Sequence, residues 1–123
     1  MKQQQRIMIV DDDPIHLTST KGILEADGYE VITHEGAFGA TNAIAKHEPD
    51  LILLDVNMPA LTGDKLAGII RGNARTRTAR VMLHSSNDED MLRDTSRRMQ
   101  LDGYICKGNP ATLRLRVAAI LAR

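Results

Sequence analysis

Two runs of four apolar residues, IMIV at 7–10 and LILL at 51–54, show no alternation of polar and apolar positions. A strand with one wet face alternates, whereas a strand covered on both faces does not. Shorter apolar runs stand at Val31-Ile32, at VML (81–83) and at Tyr104-Ile105-Cys106. The stretches between them carry helical spacing. Residues 14–27 open with a proline, which a first turn tolerates, and stop at Gly28, a C-terminal cap residue. Residues 36–47 space Ala37, Thr41, Ile44 and Ala45 helically; 63–72 group Leu66, Ile69 and Ile70. Residues 88–99 group Met91, Leu92, Thr95 and Met99, and 110–122 group Leu113, Val117, Ile120 and Leu121. The pattern is (βα)₅. It predicts an α/β fold whose five-stranded parallel sheet is covered on both faces. Five strands are too few for an eight-stranded barrel, so the sheet is open and doubly wound.

The 123 residues suit one domain over 1–123, with 1–5 as a short polar tail. Aromatics make up only 2%, so aliphatic residues and Met must fill the core. One cysteine, Cys106, excludes an intramolecular disulfide, and no Cys/His cluster has zinc spacing. No apolar run reaches membrane-spanning length and no signal peptide opens the chain, so a cytoplasmic location without membrane contact is expected. Charge is uneven: residues 1–64 hold 4 basic and 11 acidic residues, residues 65–123 hold 12 and 5. The basic half lacks any helix-turn-helix, zinc or aromatic RNA-binding pattern. A solvated helical surface or an acidic protein partner is expected there, not nucleic acid.

Ligands of open α/β sheets sit beyond the carboxyl ends of the strands. There the pattern gathers Asp11, Asp12 and Asp13 after strand 1, Asp55 after strand 3, Ser85 and Ser86 after strand 4 and Lys107 after strand 5. Singly, each has a plain structural reading: a helix N-cap for an Asp or Ser, a solvated side chain for the lysine. Together at one edge they call for a chemical one. A nucleotide or flavin site needs glycine-rich turns whose N–H groups meet phosphate. The first turn here is DDDP, with no glycine, three negative charges and one N–H removed. A hard divalent cation answers the repulsion. Mg²⁺ takes a few carboxylate oxygens and leaves coordination open for a phosphoryl oxygen. Asp55 is then a candidate nucleophile, since carboxylates form aspartyl phosphates, with Lys107 balancing charge.

At IMIVDDDP, DLILLDVNMP followed by TGDKL, VMLHSS and DGYICK, the chain resembles the response-regulator receiver domain of two-component signalling, over about residues 6–122. The resemblance implies the flavodoxin-like strand order 2-1-3-4-5. It implies Mg²⁺ on Asp11, Asp12, Asp55 and the backbone carbonyl of Asn57, with Asp13 outside the ligand set. Asp55 would be the phosphoacceptor, with Lys107 and Ser85 contacting the phosphoryl group and Ser85 and Tyr104 forming the switch. Partners would be a histidine kinase or phosphotransfer protein as donor and a downstream protein on the helix 4–strand 5–helix 5 face, with a phosphorylation-dependent homodimer as a further form. The chain would be no enzyme beyond its own phosphorylation and autodephosphorylation. It departs from the family in Gly108 where proline usually follows the lysine, in Gln100 where glycine usually precedes strand 5, and in His84-Ser85-Ser86. Two other readings stand: a pseudo-receiver that docks partners without phosphorylation, and a haloacid-dehalogenase-type phosphatase with Asp11 as nucleophile and Asp13 as acid/base.

Overall fold

The computed structural model describes residues 4–123. Strands β1 (Arg6–Asp11), β2 (Glu30–Glu35), β3 (Leu51–Leu54), β4 (Arg80–Ser85) and β5 (Gly103–Cys106) alternate with helices α1 (Pro14–Ala26), α2 (Ala40–His47), α3 (Gly63–Gly72), α4 (Glu89–Arg98) and α5 (Pro110–Leu121). All strand pairs are parallel, in the order β2-β1-β3-β4-β5. This is the flavodoxin-like order the resemblance implied.

The unbroken apolar runs divide between two cores because successive strand residues point to opposite faces. Met8, Val10, Ile52, Leu54, Val81 and Leu83 join α2, α3 and α4 on one side. Ile7, Ile9, Leu51, Leu53, Met82 and Ile105 join α1 and α5 on the other. Truncating a fully buried leucine here, such as Leu53, to alanine would cost about 2–5 kcal/mol.

Two helices start immediately beyond the strands that end at the acidic edge. Asp13 caps α1, its carboxylate accepting the Ile15 N–H at 2.9 Å, and Pro14 enters the first turn. Asn109 caps α5, accepting from Thr112 N–H at 3.2 Å ahead of Pro110. These caps fix where the β1 and β5 loops turn, and so where Asp11, Asp12 and Lys107 lie.

Several local expectations are corrected. Helix α2 begins at Ala40, not 36, because Gly36 and Gly39 take φ of +76° and +75° and turn the chain between them. Thr41 and Ala45 are half-buried; Ala40 and Ile44 carry the α2 contact. Ile69 is 46% exposed and does not share the buried face of Leu66 and Ile70. Neither Ser85 nor Ser86 caps α4; Asp88 stands at that position. Gln100 takes over the glycine's turn itself, at φ +55°, and the Leu101 N–H closes the helix end on Ser96 O at 2.9 Å. Gly108 has φ +106°, which proline's ring forbids, so the loop after Lys107 follows a path of its own. Of the expected polar tail, residues 1–3 lie outside the described residues. Gln5 is tied down through its side chain to Leu121 O at 3.1 Å. Among the described residues no helix is long and apolar enough to cross a membrane.

Candidate functional site

The parallel strands deliver their carboxyl ends to one edge, and the polar residues arrive there together. Asp11 is the last residue of β1, Ser85 the last of β4, and Asp55 follows β3, its N–H continuing the ladder to Val10 O at 3.0 Å. Asp11, Asp12 and Asp55 each offer a carboxylate oxygen within 4.8 Å of the others. Asp11 and Asp55 are buried. Lys107 reaches back from β5, its side chain only 10% exposed, and Nζ donates to Asp11 Oδ2 at 2.7 Å and Asp55 Oδ2 at 3.1 Å. It is not the solvated lysine that a lone position would suggest.

The two Asp55 oxygens have separate partners. Oδ2 faces Lys107, while Oδ1 accepts the Asn57 N–H at 3.1 Å and the Ser85 hydroxyl at 2.9 Å. Burial acts to raise the Asp55 pKa, but the Asn57 amide, Lys107 and Ser85 outweigh it and hold the carboxyl below its usual range. Asp11 goes the other way: burial pushes it up more than Lys107 and the Asp13 amide pull it down. Burial likewise opposes the charge on Lys107, and the two carboxylates overcome it, so its pKa is raised. Asp55 is therefore an ionised, oriented carboxylate, as a nucleophile requires.

One ammonium faces three carboxylates, so the pocket retains negative charge. Its donors are hard oxygens, the set that suits Mg²⁺. Asp13 instead serves as the α1 cap, its Oδ1 accepting the Ile15 N–H.

Three contributors were not singled out from the sequence. Gly63, the first residue of α3, donates its N–H to Val56 O at 3.1 Å. A Cβ there would lie 2.0 Å from Asp55 O, so only glycine lets α3 start against the loop that carries Asp55. Asn87 takes contacts from both the Ser85 hydroxyl and the Asn57 side chain. His16, in the first turn of α1, lies against Lys107. The i,i+3 spacing of Asp13 and His16 was the sole signal for the last; Gly63 lies inside the TGDKL stretch that carries the resemblance, and Asn87 had only its place directly after VMLHSS.

Tyr104 stands apart from this cluster. Its ring packs on the α2–α4 core, its hydroxyl donates to Glu89 at 3.0 Å, and the guanidiniums of Arg116 and Arg93 lie 5.1 and 5.8 Å from its centroid. Arg114, on α5, is no free charge on the α4–β5–α5 face, because it pairs with Asp27 at the end of α1.

The family model described as "Response regulator receiver domain" matches residues 7–118. The chain belongs to the receiver domain family. Protein PilH of Pseudomonas aeruginosa is 27% identical over 118 residues, covering 95% of this chain and 98% of PilH. The sensor protein GacS of Pseudomonas syringae pv. syringae is 39% identical over 66 residues, covering 54% of this chain and 7% of GacS. The chain thus spans a small part of one curated relative and nearly all of another. The BeF3-activated N-terminal receiver domain of Klebsiella pneumoniae RstA superposes with a TM-score of 0.87 at 30% identity, covering 97% of this chain and all of that one. Receiver domains are signalling modules of two-component systems that carry Mg²⁺ in an acidic pocket, and this chain has the acidic cluster. Membership replaces the haloacid-dehalogenase-type reading of Asp11.

Proposed function

We propose that this receiver domain, as a single unit over the whole chain, is a Mg²⁺-dependent phosphoacceptor. Asp55 would take a phosphoryl group from a histidine kinase or a phosphotransfer protein in the cytoplasm. The observation that carries this reading is the two-sided hold on Asp55, with Lys107 on one oxygen and Ser85 and the Asn57 amide on the other. An Asp55 oxygen attacks the donor's phosphorus; the P–N bond of the phosphohistidine breaks, and its electron pair leaves on the imidazole nitrogen. Asp11, Asp12, Asp55 and the Asn57 carbonyl would hold Mg²⁺, which when bound offsets negative charge on the transferring oxygens. Lys107 would turn from the carboxylates to a phosphoryl oxygen, and the Ser85 hydroxyl would donate to another. Hydrolysis of the aspartyl phosphate resets the domain.

The output would run through Ser85 and Tyr104. A phosphoryl group that draws Ser85 inward leaves room beside β4, and Tyr104 would exchange its Glu89 contact for that space. The face of α4, β5 and α5, with Arg97 and Arg98 exposed, would then meet a downstream protein or a second copy of the domain.

The test is labelling with acetyl phosphate and Mg²⁺, followed by intact-mass measurement. Wild type takes one phosphoryl group and Asp55→Asn none. Label retained in Asp55→Asn overturns the assignment. No label in wild type, with partner binding intact, establishes a docking module without phosphorylation.

A further inference from the structure

Lys107 has three N–H bonds and three acceptors. Two are Asp11 Oδ2 and Asp55 Oδ2; the third is Nδ1 of His16, at 2.9 Å. An ammonium has no lone pair, so at this distance Nδ1 must present its own, and the imidazole proton sits on Nε2. The same Nδ1 lies 3.5 Å from Asp13 Oδ2 and 4.0 Å from Asp11 Oδ2, carboxylates to which its lone pair cannot bond, so Lys107 is the donor that holds the ring. His16 and Lys107 together line a cavity of about 290 Å³ between α1 and α5, with Ser19, Thr20, His84 and Asn109. The ammonium therefore stands between the acidic cluster and a second, imidazole-lined space.

The three acceptors differ in what phosphorylation does to them. Asp11 and Asp55 are the carboxylates that metal and phosphoryl group would claim. His16 is the one partner left outside that exchange. We infer that His16 is a positioning residue: it keeps the Lys107 ammonium on station while its carboxylate contacts are replaced by a phosphoryl oxygen. This rests on the phosphoacceptor reading for its consequence, but the contact itself does not depend on it.

Removing the hydrogen-bond partner that orients a metal ligand typically costs about ten-fold or more, and the same order is expected for a partner that orients the ammonium. His16→Ala should lower the rate constant of phosphorylation at saturating acetyl phosphate by about ten-fold. The acetyl phosphate concentration at half-saturation and the midpoint of a Mg²⁺ titration should not move. His16→Asn, whose Oδ1 can stand where Nδ1 stood, should recover most of the rate. The second readout needs no phosphate: the ¹⁵Nζ–H₃ signal of Lys107, observed by NMR, should exchange with water faster in His16→Ala than in wild type or His16→Asn. An unchanged rate with an unchanged ammonium signal overturns the inference. So does an equal loss in both variants, or a shifted Mg²⁺ midpoint that accounts for the rate. If wild type takes no label, the phosphoacceptor reading falls, and the ammonium signal alone decides whether His16 positions Lys107.

Discussion

His84 is the buried histidine of β4, one residue before Ser85, and its pKa falls to about 4. Burial is the main cause, and the charge of Lys107 adds to it; Asp55 acts against both. The unfolded chain takes up this proton near the ordinary value of 6.5, so between pH 6.5 and about 4 the unfolded state binds more protons. Stability present above that window is then lost as pH falls, by about 3 kcal/mol across it. Urea unfolding of wild type and His84→Leu at several pH values isolates the effect, because Asp11 and Asp55 titrate in both. The difference between the two proteins should change across this window; a constant difference rules the account out. Single residues were unevenly legible in the sequence. Asp11, Asp55 and Lys107 each directly follow an apolar run, Asp12 and Ser85 stand one residue further on, and a strand end has a defined address. His16 and Asn87 act through contacts made across the loops, and no periodicity reports those.

Elements divide the same way. Strand β3 and helix α3 lie where the apolar pattern puts them, because buried runs and helical faces are local signals. Helix α2 was overextended because Ala37 fits the helical period while two left-handed glycines break it. The β3–α3 loop holds strain that the pattern does not disclose. Ala60 sits at φ +69°, where a Cβ crowds the following carbonyl. Ala60→Gly should raise unfolding stability by about 1 kcal/mol, measured by urea denaturation, and Gln100→Gly at φ +55° by a similar amount. Gly63 runs the other way. Gly63→Ala would press a methyl into Asp55 O, costing about 2–3 kcal/mol in stability and displacing the acceptor. It should lose label from acetyl phosphate more than its stability loss explains.

At the scale of the whole molecule, the acidic cluster should make folding sensitive to a divalent ion. Binding to the folded form alone raises the melting temperature, so millimolar Mg²⁺ should stabilise wild type and not Asp12→Ala. Equal shifts in both would move the site elsewhere. Beryllium fluoride with Mg²⁺ should shift NMR signals on α4 and β5 as well as those around Asp55, and Ser85→Ala should confine the shifts to the site. The Lys107 contacts carry a further consequence. Asp11 lies 96 residues from Lys107 and Asp55 lies 52 from it, so the site closes only when the last strand has docked beside the fourth. A chain in which β5 has not docked beside β4 would lack the Lys107 ammonium at the Asp55 carboxylate. On the proposed phosphoacceptor reading, signalling would then be confined to fully folded copies, and unfinished ones would stay silent.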